Sequence, residues 1–278
     1  MLRGGVQLSK PLAERVSSLL ANFKYTKEKL ERKKAFTLAE VLITLGIIGV
    51  VAAISIPTLM QNANEKDTVA KVQKAYNVMA NAYKLATAEY GTIDKWGVIG
   101  EKELGYSARH NEDTPEEDRN KVFSSLDTFL NIFSEYVKFT EKNDVKTAET
   151  TASGDVYYLG GTKVSTQLTN YATFADGTML RTLYLDRAVV CNAGRQCANF
   201  TIDVNGDKGP NTYGKDLFVF YLTKEGVFPQ GRGDDAVNFS SFCNRNESHA
   251  KNGHGCAAWV VMNGNMDYLH KDGLSLGF

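Results

Sequence analysis

Catalytic signatures are missing from this 278-residue chain. It has no G-x-S-x-G elbow, no H-E-x-x-H pair and no phosphate-binding loop, so the commonest hydrolase, metalloprotease and nucleotide-binding classes are excluded and no enzyme is read from the residues. Histidine is scarce, with His110, His249, His254 and His270 each in a polar, loop-like stretch that predicts a solvated ring. Net charge is also absent, but only as a sum. Residues 1–35 hold nine Lys or Arg against three Glu, a balance of +6 that leaves −6 for residues 36–278. An acidic remainder of that size repels phosphate and disfavours nucleic acid as a partner. Cysteine is limited to four residues, spaced C-x5-C and C-x12-C, which fits no common structural-zinc pattern.

What is present is concentrated near the N-terminus. Lys33-Lys34-Ala35 precedes Phe36-Thr37-Leu38-Ala39-Glu40, and no charge follows from Val41 to Ile56. Phe36 to Met60 is long enough, as a helix, to cross a hydrocarbon core of roughly 30 Å. Thr44 and Ser55 are the clearly polar side chains in the run, and both are able to hydrogen-bond back to a helix carbonyl. Glu40 lies inside that apolar stretch. A carboxylate there costs roughly 2.5–3.5 kcal/mol on insertion scales, which marks it as a functional residue in need of a partner. Pro57 removes one helix hydrogen bond and predicts a kink or a local break.

The run of Lys-Lys-Ala, Phe-Thr-Leu-Ala-Glu and a Gly-bearing apolar helix (Gly46, Gly49) interrupted by Pro57 resembles the prepilin signature of type IV pilins and type II secretion pseudopilins. The alternative is a plain signal anchor or signal peptide. In a signal peptide the small residue follows the apolar run, whereas here Ala35 precedes it. The resemblance implies cleavage between Ala35 and Phe36 by a membrane prepilin peptidase, N-methylation of Phe36, and pairing of Glu40 with the N-terminal amine of a neighbouring subunit. The family usually has Gly at the position of Ala35. Three regions follow: a basic leader (1–35) that is removed, a transmembrane and filament-core helix (36–60), and an exported globular domain (61–278). Basic residues flanking a span stay cytoplasmic, so the chain is expected in the inner membrane as a single pass, then in an extracellular or periplasmic filament. Implied partners are further copies, other pilins or pseudopilins, the peptidase, an inner-membrane assembly platform, and lipid before assembly.

In the leader, Val16, Leu19, Leu20 and Phe23 are spaced for a short amphipathic helix. Beyond Pro57 the helix is expected to resume. Val69, Val72, Tyr76, Met79, Tyr83, Ala86 and Tyr90 step by three or four and make one apolar stripe ending before Gly91. Val122, Leu126, Phe129, Phe133 and Val137 predict a second helix, and residues 141–154 a loop. Strands are expected at Val156–Leu159, in a hairpin from Tyr171 to Leu185 turning at Asp176-Gly177, at Ala198–Val204, at Leu217–Leu222 and at Gly226–Phe228. Ala257 to Met262 reads as an edge strand or a packed tail. The fold class is α+β: a long N-terminal helix laid on an antiparallel sheet, as the resemblance also implies.

Four cysteines allow three connectivities, and short loops close most easily, favouring Cys191 with Cys197 and Cys243 with Cys256. A zinc site that also draws on His249 or His254 is the rival, and free thiols are the third reading. Asp203, Asn205, Asp207 and Asp216 alternate along a Gly-rich loop and are able to converge oxygens on Ca²⁺. The loop lacks the Gly and Glu positions of an EF-hand, and a plain turn in which Asp and Asn bond their own backbone is the competing reading. No cofactor is expected beyond this candidate calcium. Arg232-Gly233-Asp234 spells an integrin-type tripeptide, too short to carry a function. The functional reading is a structural filament subunit, with a minor tip pilin serving as an adhesive or DNA-uptake module as the alternative.

Overall fold

The computed structural model describes residues 14–15, 17–18, 36–104, 113–148, 155–165, 168–186, 196–209, 211–233 and 235–277. Most of the leader, with Ala35, and also Cys191 and His110 lie outside them. The chain forms two compact units, residues 1–59 and 60–278. Helix α1 runs Leu38–Tyr90 without interruption, with Pro57 inside it. The expected break is therefore corrected: proline forfeits one backbone bond, and the turns on either side keep theirs. In the first unit the apolar side chains of α1 are exposed, from Leu38 at 77% to Leu59 at 67%. Thr44 Oγ1 donates back to the Val41 carbonyl at 3.0 Å, so the polar group within the run is satisfied internally.

In the second unit α1 changes character. Val69, Val72, Ala75, Met79, Ala82, Tyr83 and Ala86 are buried along one stripe. Tyr76 stacks on Phe220 of the sheet at 5.9 Å. The predicted stripe is thus the seam to the domain core, and Tyr90 alone among its members is exposed. Its hydroxyl donates to Glu135 at 2.7 Å. A short helix α2 (Glu101–Leu104) precedes α3 (Glu116–Tyr136), which buries Val122, Leu126, Phe129 and Phe133 as their spacing requires. Tyr83, Trp96, Phe129 and Phe133 form an aromatic cluster with ring centroids 4.5–6.5 Å apart.

Strand β1 (Phe139–Lys142), helix α4 (Val145–Ala148) and strands β2 (Asn170–Phe174), β3 (Met179–Leu185), β4 (Ala198–Asp203), β5 (Leu217–Leu222) and β6 (Val227–Pro229) follow. Among the described residues the strands form one six-stranded antiparallel sheet in sequential order. The second half of β1, Glu141 and Lys142, falls in the expected loop 141–154; a mostly exposed edge strand of sequence FTEK carries no alternation to read. Tyr157, expected within a strand, makes only isolated bridges to Lys163 and Thr212. Helices α5 (Phe239–Phe242) and α6 (Cys256–Asn263) complete the domain. α6 corrects the expected strand or tail at 257–262. Its apolar residues are buried all round from Cys256 to Val260, so no periodicity distinguishes helix from strand, and Gly264 at φ 64° closes it as a left-handed C-cap.

Both faces of the sheet are covered. Phe218, Phe220 and Leu222 face α1, while Leu217 and Val219 join Val156, Leu168 and Tyr213 in a second, smaller cluster. Every residue of β5 is buried, as its unbroken apolar run requires. β3 keeps its own pattern by a bulge. Arg181 opposes Thr201 and Tyr184 opposes Asn199, so Thr182 and Leu183 together stand against Phe200. The extra residue lets Leu180, Leu183 and Leu185 all enter the core and turns Tyr184 to the outer face. Thr182 adopts φ 48°, a left-handed conformation that a β-branched residue rarely takes.

Cys243 and Cys256 are disulfide-bonded with their Cα atoms 5.0 Å apart, tying α5 to α6. Cys197 is also disulfide-bonded. Gly214, at φ 80°, lies against this bridge; a Cβ there would approach Cys256 Sγ to 2.8 Å. Two measurements test these elements. Thr182→Gly relieves the backbone strain and raises the urea midpoint by the equivalent of about 0.5–1 kcal/mol; a lower midpoint would show an unstrained bulge. Replacing both Cys243 and Cys256 by Ser lowers stability by about 3 kcal/mol through the reopened loop, read from the same titration under non-reducing conditions.

Candidate functional site

The N-terminal motif forms a closed hydrogen-bonded unit. The Thr37 backbone N–H and hydroxyl both donate to Glu40 Oε2, at 2.9 and 2.8 Å. The Glu40 N–H in turn approaches Thr37 Oγ1 at 3.2 Å. This is a capping box: the residue before the helix and the residue three positions on satisfy each other's backbone donors. Thr37 therefore starts α1, and the carboxylate that looked isolated in the sequence is held at the positive end of the helix. Phe36 is 82% exposed immediately before it. Glu40 Oε2 receives both bonds, and no bond to Oε1 is found among the described residues.

The structure ties Asp203 and Asp207 to a guanidinium, and Asn205 to Asp216. Arg181, 1% exposed, donates from Nε to Asp203 at 2.7 Å and from its Nη2 to Asp207 at 2.8 Å. The other Asp203 oxygen accepts the N–H groups of Asn205 and Gly206, at 3.1 and 2.9 Å. Gly206 permits this turn at φ 66°. Asp216 accepts Asn205 Nδ2 at 3.1 Å, the Asn211 N–H at 3.0 Å and the Thr212 N–H. Asp203 and Asp216 bond the loop's own backbone, as in the plain-turn reading. Among the described residues no group of three or more His, Cys, Asp or Glu is placed to hold a metal ion. The positive charge at this point comes from β3, 22 residues upstream of Asp203.

Sequence reasoning missed Arg181. Its signal was a single charge between Leu180 and Leu183 in a strand otherwise destined for burial. It missed His254 as well. The ring expected in solvent lies 4.1 Å from Tyr213 and 5.9 Å from Tyr158. Burial drops its pKa to about 3, so the imidazole is neutral.

Burial pushes the Asp203 carboxyl up to about 6, against the pull of Arg181 and the Asn205 N–H, and raises Asp216 as well. Both acids rely on the neighbouring donors to stay ionised at neutral pH. Arg181→Leu removes the cation and leaves buried carboxylates uncompensated, at a cost of about 3–5 kcal/mol. A carboxyl raised on folding takes up a proton as the chain folds, so its contribution to stability falls as pH rises through its folded value. The loss on Arg181→Leu is therefore larger at pH 7.5 than at pH 5, measured by urea unfolding. An equal loss at both values would show that the carboxylates do not carry it.

Comparison with known proteins follows the same division of the chain. Residues 31–56 match the prokaryotic N-terminal methylation motif, the signature of type IV pilins and pseudopilins. No curated protein and no solved structure matches the chain. Residues 58–241, about two thirds of its length, match the model described as family of unknown function DUF6613. A pilin-type methylation motif and apolar helix thus lead into a helix-on-sheet domain, and the chain belongs to the DUF6613 family.

Proposed function

We propose that the chain is a structural subunit of a type IV pilus or a type II secretion pseudopilus. The observation that carries this reading is the first half of α1. Its apolar side chains are exposed around the whole circumference from Leu38 to Met60, and the helix is long and apolar enough to cross a membrane. Such a surface needs lipid or other copies of itself. A filament core made of these helices supplies the second, and the bilayer supplies the first before assembly.

In this reading the leader 1–35 is cytoplasmic and is cut away between Ala35 and Phe36. Phe36 is then N-methylated, 36–60 is the anchor and filament core, and 61–278 is exported. The prepilin peptidase, an inner-membrane assembly platform and other pilins or pseudopilins are its partners. The capping box gives Glu40 a local ligand while it waits in the membrane. Its free lone pairs then receive the methylated amine of Phe36 on a neighbouring subunit, pairing two charges in a low-dielectric core. The buried Arg181 centre supplies positive charge to the Asp203–Asp216 loop.

Two experiments test the reading. Co-expression with a prepilin peptidase shortens the chain by the 35 leader residues and yields N-methyl-Phe36, read by mass spectrometry; an intact leader in assembled material would overturn it. Glu40→Ala still inserts, matures and folds, yet is absent from the sheared filament fraction. Glu40→Asp, one methylene short, is incorporated partially. Incorporation of Glu40→Ala at the level of the unaltered chain would remove the pairing mechanism.

A further inference from the structure

The outer face of the sheet, opposite the face that carries α1, encloses a cavity of about 820 Å³. This lies within the size range of small-molecule sites. Its floor is a straight cross-strand row. Tyr184 on β3 opposes Asn199 on β4, Asn199 opposes Tyr221 on β5, and Tyr221 opposes Phe228 on β6. The bulge at Thr182 is what places Tyr184 in this row, because unbroken alternation would send that ring into the core with Leu180. A strained backbone residue that re-aims one side chain into a cavity is a feature associated with functional sites. Beside the row, Thr201, Thr223 and Gln230 line the cavity with short or uncharged hydrogen-bonding groups.

We propose that this cavity binds a neutral saccharide, with sugar rings laid along Tyr184, Asn199 and Tyr221 beside the Phe228–Arg232 pair. The chemistry of the walls selects this class. An anionic ligand finds no cationic focus: the lining acids Asp186, Glu225 and Asp235 outnumber Arg232 and Lys251. The Arg232 guanidinium lies 4.8 Å over the Phe228 ring. Asp235 is occupied, accepting from the Tyr221 hydroxyl at 2.7 Å and from the N–H groups of Gly231 and Arg232 at 2.9 Å. His254 lines the same cavity as a neutral ring, and among the described residues its buried Nε2 has no hydrogen-bond partner. A purely apolar ligand would cover the half-buried Asn199 amide without giving it a hydrogen-bond partner. An extended peptide added to the sheet pairs at an edge, whereas Tyr184, Asn199 and Tyr221 lie on β3, β4 and β5, each paired on both sides. A sugar ring meets all these conditions. Its C–H faces pack on aromatic rings, and its equatorial hydroxyls both donate to and accept from amide and hydroxyl side chains. The proposal does not rest on filament assembly.

The test uses the full-length chain in a detergent without a sugar headgroup. Gluco-, manno-, galacto- and N-acetylglucosamine tetrasaccharides are titrated by calorimetry, with saturation-transfer NMR to detect weak contact. At least one is expected to bind, and Asn199→Ala and Tyr184→Ala are each expected to weaken it at least tenfold at an unchanged melting temperature. Asn199→Asp, of the same size, replaces Asn199→Ala if the latter fails to fold. Inorganic phosphate is expected not to compete. No binding by any of the four sugars at millimolar concentration, binding unaffected by these variants, or displacement by phosphate would each overturn the proposal. None of these outcomes bears on Glu40 or on filament incorporation, so the two readings fail separately.

Discussion

The contact on which the domain depends is the apolar seam between α1 and the inner face of the sheet. Val72, Met79 and Ala86 are fully buried on the helix side. Phe200, Phe218 and Phe220 meet them from β4 and β5 with no exposure of their own. Area removed from water stabilises by about 25 cal/mol per Å², so these fully buried side chains contribute directly to the stability of the domain. The rest of the domain is arranged around it. α3 covers the neighbouring part of the core through the Tyr83–Trp96–Phe129–Phe133 cluster. The chain beyond β6 returns to α1, where His270 reaches Glu65 at 2.9 Å and Gln73 Nε2 donates to the Val261 carbonyl at 3.3 Å.

The sheet's second face explains the less ordinary residues. A sheet covered on one side only would alternate apolar and polar residues, but β5 is buried throughout. Polar groups on the covered outer face then need partners inside the protein. Arg181 and the Asp203–Asp216 loop are one solution: a buried cation, two buried carboxylates, and backbone N–H groups filling the remaining lone pairs. Such centres are costly to desolvate and more costly to leave half-made. The bulge at Thr182 belongs to the same bargain. It keeps three leucines of β3 in the core while leaving Arg181, Tyr184 and Asp186 on the outer side.

The first half of α1 obeys different physics. No sheet covers it, and its side chains are apolar around the full circumference, so its surface is made for lipid or for like helices. Two polar groups along it are satisfied locally: Thr44 by the preceding turn and Glu40 by Thr37. A carboxylate held by a capping box is kept in place without being neutralised by another charge. In the proposed filament reading, that is the state an assembly acid requires before its partner arrives.

Local sequence alone determined the apolar run, the amphipathic stripe from Val69 to Ala86, the α3 face and the hairpin turning at Asp176-Gly177. Each follows from a periodicity or a turn preference within a dozen residues. Tertiary structure decided what distant segments contribute to each other. Pro57 did not break α1, because one missing bond is outweighed by those around it. Residues 257–262 became a helix, because an element buried on all sides has no polar face to reveal its period. Phe139–Lys142 became a strand by pairing with β2 rather than by its own propensity. His254 lost its water to two tyrosines remote in sequence. The acidic loop found its counter-charge on β3, where loop spacing carries no information. Charges are compensated through space, and the register of a folded sheet brings Arg181 to Asp203.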